Sequence, residues 1–172
     1  MRAFTLMEIV VVLAIAALLA ALGFPAYQRA IARGRATACL SNLRQLGIAL
    51  NLYLGDHDQT MPELAAGRRA KTENVPALDN TLDRYVPDAR VFACPADTAK
   101  HFAETTGTSY LWNVALNNQH LASLNFLAVI NDHSRIPLFG DKEGFHDATD
   151  HKVNLLYADG HATKDLSFFT SQ

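Results

Sequence analysis

The chain has 172 residues, enough for one hydrophobic core or for a small domain with an extension. Its 15 basic and 17 acidic residues leave a formal charge of −2, so no basic surplus argues for nucleic acid and no charge block forms a solvating tail. The apolar residues are unevenly placed: the first 54 residues hold a dense apolar block and then a helical pattern, while the remainder is polar-rich with most of the Pro, Asp and His. That contrast predicts a membrane-anchored stalk carrying a compact soluble head.

From Ile9 to Gln28 there is no charged residue. As a helix this run is about 30 Å long, the hydrocarbon thickness of a bilayer. A removable secretory signal is the competing reading. Against it, the only basic residue upstream is Arg2, no small-residue cleavage region follows, and the helical pattern continues past Gln28 and Arg29. A plain anchor accounts for the length but not for Glu8 at its lip, since a charge drawn into hydrocarbon costs about 2.5–3.5 kcal/mol. The bland account of Glu8 is that its carboxylate snorkels to the headgroups.

The stretch Ala3-Phe4-Thr5-Leu6-Met7-Glu8 resembles the processing site of type IV pilins and of the pseudopilins of type II secretion. The resemblance implies cleavage by a prepilin peptidase between Ala3 and Phe4, with methylation of the new amino group on Phe4. Glu8 then holds the family's acidic position, and Pro25 and Tyr27 fall where such proteins often carry Pro and Tyr. Ala3 stands where Gly is commoner, and the leader 1–3 is short. The resemblance assigns assembly to Phe4, Glu8 and Pro25: the Glu8 carboxylate of one subunit pairs with the Phe4 amine of its neighbour. Each charge alone is costly in low dielectric and the pair is less so, which makes Glu8 a register device. Charge placement points the other way on orientation. Arg29, Arg33, Arg35 and Arg44 follow the span and only Arg2 precedes it, so the positive-inside rule favours a cytoplasmic head, whereas the resemblance implies a head in the periplasm or outside.

Beyond Pro25, which removes one helical hydrogen bond, Ala32, Ala36, Cys39, Leu43, Leu46, Leu50 and Tyr53 recur at spacings of four and three. This is an apolar stripe on an α-helix. It predicts packing on the chain's own head in preference to a coiled coil. Gly55-Asp56 and Pro62 predict the helix end. The two cysteines, Cys39 and Cys94, fit no zinc spacing. They read either as one disulfide in an extracytoplasmic domain or as two buried free thiols. The words around them, Cys39-Leu40-Ser41-Asn42-Leu43-Arg44-Gln45 and Cys94-Pro95-Ala96-Asp97, resemble a bacterial pseudopilin-like subfamily, together with Ser109-Tyr110-Leu111-Trp112-Asn113 and Asp159-Gly160-His161. The histidine that this subfamily carries before Asp-Gly stands at a different distance here, as His151.

In the head, Val153–Ala158, the Asp159-Gly160 turn and His161–Lys164 predict a hairpin. Phe126–Ile130 and Ile136–Phe139 are further strand candidates, Asn80–Tyr85 a short helix, and Gly67–Asn74 a charged loop. Asp141, Glu143, His146, Asp147, Asp150 and His151 crowd one stretch, which offers oxygen ligands to calcium. His146, His151 and His161 offer zinc a weaker set, and a solvated polar loop is the favoured reading of both. No nucleophile elbow, paired-histidine zinc helix or phosphate-gripping Gly loop occurs, so no enzyme, no catalytic residue and no cofactor are expected.

The sequence is thus read as α+β and pilin-like, with a long N-terminal helix laid on a small antiparallel sheet. The parts are a leader 1–3, a transmembrane and assembly helix 4–28, an amphipathic half 29–54 and a head 55–172. The function implied is that of a structural subunit of a type IV pilus-like or secretion pseudopilus filament. Its implied partners are the prepilin peptidase, an assembly ATPase with its membrane platform, and copies of itself; nucleic acid is not among them. Its implied place is the bacterial inner membrane before assembly. The alternative is a single-pass anchored binding module that does not polymerise.

Overall fold

A computed structural model of the chain describes residues 5–146 and 153–164. Helix α1, Leu6–Asp56, runs for 51 residues, about 76 Å at 1.5 Å per residue. Thr5 caps it with extended backbone, its Oγ1 accepting the Glu8 N–H at 3.3 Å. The helix continues through Pro25 and closes at Asp56, where the Leu54 carbonyl accepts the N–H of Gln59 at 2.9 Å and Asp58 and Gln59 take positive φ.

The two halves of α1 have different surroundings. Every residue from 5 to 30 is exposed. Burial starts with Ile31 and Ala32 and becomes complete at Ala36, Cys39, Leu43, Leu46, Leu50 and Leu54. The expected stripe is therefore the face that meets the head, with Tyr53 half-buried at its end.

The head opens with α2, Leu78–Thr81, and single 3-10 turns at Asp83–Tyr85 and Ala89–Phe92. The helix expected over Asn80–Tyr85 is thus a short α-turn followed by a 3-10 turn. Helix α3, Phe102–Thr106, follows. Strands β1 (Tyr110–Trp112), β2 (Pro137–Asp141), β3 (Leu155–Tyr157) and β4 (Ala162–Thr163) form an open antiparallel sheet in chain order. Between β1 and β2 the chain makes three 3-10 turns, each started by a side chain that accepts a backbone N–H two residues on: Asn113, His120 and Asp132. Such local bonds compete with sheet ladders and keep this long excursion compact.

The hairpin expected at Asp159-Gly160 forms as β3–β4, with Gly160 at φ 89°. The strand expected at Phe126–Ile130 does not form. Phe126 and Ile130 instead bridge each other around a tight turn whose Leu127 and Ala128 lie at φ 55° and 56°. β1 was not foreseen, because its three residues are too few to show a period of two. The sheet and α1 share one core: Leu43, Leu46 and Leu50 meet Leu82, Phe92, Tyr110, Leu116, Phe139 and Leu156. Trp112 and Phe139 stand opposite in register with ring centroids 5.4 Å apart. At Gly47 an added Cβ would stand 2.8 Å from Leu156 Cδ2, so the glycine sets how closely helix and sheet approach.

Candidate functional site

Two regions carry features beyond packing: the exposed half of α1 and its junction with the head. In the first, Leu6, Leu13, Leu18, Leu19, Leu22 and Phe24 are each more than 60% exposed. A soluble monomer rarely shows so long an apolar surface. This is one helix long and apolar enough to cross a membrane by length and composition. Glu8 is the one acidic residue of its exposed half and stands in the first helical turn. Thr5-Leu6-Met7-Glu8 is also the spacing of a capping box, which the sequence reading missed; the half observed is the threonine's. A carboxylate there also complements the positive end of the helix dipole. Pro25 lies within the exposed half. Ala3, Phe4 and Arg2 fall outside the described residues. Arg29, Arg33, Arg35 and Arg44 are all exposed on the stretch where α1 reaches the head.

The junction is covalent. Cys39 of α1 and Cys94 of the head form a disulfide with Cα atoms 4.9 Å apart. One turn on, Asn42 Nδ2 donates to the carbonyl of Ala93 at 2.9 Å, so two side chains of one helix face hold one short segment. Asp97, buried, then accepts from the N–H of Phe102 at 2.6 Å and from Ser109 Oγ at 2.8 Å. Asn113 Nδ2 donates to the Pro137 carbonyl at 2.9 Å. The separate sequence words around Cys39, Cys94 and Ser109 thus meet as one set of braces. Their roles as hydrogen-bond partners were not legible from spacing, since the braces join residues far apart in the chain.

Behind the disulfide lies a buried polar cluster. His146 Nε2 is 3.8 Å from Cys94 Sγ, 3.1 Å from Asp141 Oδ2 and 2.8 Å from Asn154 Nδ2. Asp141 Oδ2 also accepts the Asn154 N–H at 2.7 Å. Asp141 Oδ1 is buried and has no hydrogen-bond partner among the described residues. Tyr110 pairs in register with Asp141, and burial pushes its hydroxyl well above the usual tyrosine range, with the charges of Asp141 and Asp97 adding to the push and the nearby Asn42 amide opposing it. A cleft of about 280 Å³, lined by Arg29, Ala32, Arg35, Ala96, Phe145 and His146, reaches this cluster from solvent.

The acidic stretch expected to suit calcium is split by the fold: Asp141 and His146 are buried, while Glu143 is exposed. Asp147, Asp150 and His151 fall outside the described residues. His161 is exposed, pairs with Asp159 at 2.5 Å and stacks on Tyr157, so its role is to close the hairpin.

The stretch read as a charged loop, Gly67–Asn74, buries one of its charges. Arg68 is buried and forms an ion pair with Asp79, and its Nε also donates to the Thr106 carbonyl at 3.3 Å. Gly107, at φ 95°, leaves room for this pair: a Cβ there would collide with both side chains. Lys142 reaches the same corner, donating to Thr106 Oγ1 at 2.6 Å and lying over the Phe102 ring, and burial lowers its pKa.

Set against protein-family models, curated proteins and solved structures, the chain matches none of them.

Proposed function

We propose that the chain is a structural subunit of a type IV pilus-like or type II secretion pseudopilus filament, processed ahead of Phe4 and assembled through the first half of α1. The observation that carries this reading is the unburied apolar half of α1, with Glu8 in its first turn and nothing among the described residues to cover it. In a bilayer, lipid covers that surface; in a filament, the equivalent helices of other copies do. After cleavage the Phe4 ammonium stands one residue before the Thr5 cap. Both it and the helix dipole then present positive charge to a neighbour's Glu8. The disulfide supports a head outside the cytoplasm, where such bonds persist. It offsets the contrary signal of the arginines after the span. The partners of this reading are the prepilin peptidase, the assembly ATPase with its membrane platform, and further copies of the chain.

Mass spectrometry of the mature N-terminus tests the first step. A free or methylated Phe4 terminus is expected; a chain that keeps Met1 and stays monomeric in the membrane overturns the filament. The anchored binding module that does not polymerise has one observation in its favour, the capping-box spacing, which gives Glu8 a use within a single chain.

A further inference from the structure

We propose that the cleft at the point where α1 reaches the head holds the phosphate of an anionic phospholipid headgroup, gripped by Arg29 and Arg35. The proposal requires only that the apolar half of α1 lies in a bilayer, which the filament subunit and the anchored module have in common.

The level of the cleft is the first observation. The uncharged run ends at Gln28, so Arg29 stands at the border of the hydrocarbon. Arg35 lies about 9 Å further along the helix axis. The polar layer on each side of a bilayer is about 5–7 Å deep, and an arginine covers the remaining distance by turning its head back along its stem. Both guanidinium groups therefore reach the lipid phosphates.

The shape and the charge of the cleft are the second and third observations. It encloses about 280 Å³, with Gln28, Arg29, Ala32 and Arg35 of α1 on one wall and Thr98 and Phe145 of the head on the other. Gln28, Ala32 and Arg35 follow one another at steps of four and three, so they share a helix face. Among the described residues no carboxylate lines the cleft. Nor does any described carboxylate pair with the guanidinium of Arg29, Arg33 or Arg35, whereas Arg68 pairs with Asp79 and Arg90 with Asp88. The planar fork of a guanidinium matches two oxygens of a phosphate. Gln28 and Thr98 add N–H and O–H donors, and Ala32 and Phe145 offer apolar surface to the glycerol and the first methylenes. A zwitterionic headgroup brings an ammonium beside the same arginines and is repelled; a headgroup with a phosphate and no ammonium is not. This binding also gives a use to basic residues on the head side of the span, whose charge alone argues against the compartment that the disulfide favours.

The test uses the full chain in detergent, with native mass spectrometry counting the lipid that stays bound. Phosphatidylglycerol and phosphatidylcholine of equal acyl chains are the probes. One phosphatidylglycerol is expected to bind at least tenfold more tightly than phosphatidylcholine. Arg35→Gln should weaken it about fivefold, and Arg29→Gln added to it should remove the preference. Arg33→Gln deletes the same charge nearer the span but outside the cleft, and should leave affinity within about twofold of the parent. Millimolar inorganic phosphate should not displace the lipid. All three arginines are exposed, so the variants should fold, and near-UV circular dichroism checks this. Three results overturn the proposal: equal affinity for the two lipids, a loss in Arg33→Gln as large as in Arg35→Gln, which leaves only diffuse attraction, or displacement by inorganic phosphate, which makes the ligand a free anion. None of these bears on processing ahead of Phe4, so the lipid site and the filament reading fail separately.

Discussion

Glu8 has two physical uses that point to different experiments. As the fourth residue of a capping box it needs an acceptor side chain, which Gln also provides. As the partner of a neighbour's amine it needs a negative charge, which Gln lacks. Under the filament reading, Glu8→Gln and Glu8→Ala should abolish assembly alike, as seen by filament shearing and immunoblotting, while both leave the head folded. If Glu8→Gln assembles normally and only Glu8→Ala fails, the residue is a helix cap.

Gly107 is a second residue whose role is fixed by its surroundings. Alanine there meets an unfavourable positive φ and displaces the buried Arg68–Asp79 pair. Breaking a buried pair costs about 3–5 kcal/mol, so Gly107→Ala should lose about that much stability in urea unfolding of the head. Tyr110 makes a pH prediction. Its folded pKa is raised above the ordinary value of 10.0, chiefly by burial. The folded state therefore keeps a proton that the unfolded chain releases, and the stability this represents is complete below pH 10.0 and is lost as pH climbs above it. Lys142 acts in the opposite sense, because its folded pKa is lowered and stability rises with pH as it discharges. Tyr110→Phe should flatten the alkaline fall in melting temperature; an unchanged fall would assign it to other groups.

At the scale of elements, α1 is held to the head by a stripe, a close approach and a staple. Each buried leucine of the stripe contributes roughly 1.5–3 kcal/mol. Gly47→Leu should pry the helix from β3, since even a Cβ is too close to Leu156, and its effect should appear as a lower melting temperature with the disulfide intact. Replacing both cysteines by serine should cost about 2–5 kcal/mol. The stripe was legible because a helix repeats its buried face at steps of three and four, and Ala36, Cys39, Leu43, Leu46 and Leu50 obey that period. The short elements of the head were less legible. β1 has three residues, and Phe126–Ile130 has the composition of a strand but folds back on itself. Composition rates a segment for extended backbone and says nothing of whether a neighbour offers it a ladder.

For the whole molecule, every described residue of the first half of α1, 5–30, stays exposed beside the described part of the head. Removal of residues 1–28 should therefore leave a soluble, monomeric head whose melting temperature matches that of the full chain in detergent. A large loss of stability would mean that the apolar half supports the fold as well as the anchor. The same division explains why the molecule suits insertion in a membrane: its apolar surface is concentrated in one rod, and the sheet, the turns and the disulfide lie beyond it.

What the sequence determined by itself was everything governed by local order along the chain: a bilayer-length apolar run, the stripe that continues from it, the Asp159-Gly160 hairpin, and the acid placed at the lip of the span. These are readable because periodicity, length and turn chemistry act between near neighbours. Only the tertiary structure decided which distant groups share a site. It decided for the disulfide between the two readings the sequence left open for Cys39 and Cys94, drew His146 and Asp141 behind that bond, and buried Arg68 within a loop read only as charged. Side chains that meet across many intervening residues leave no period in the sequence, because their proximity is set by the packing of the core between them.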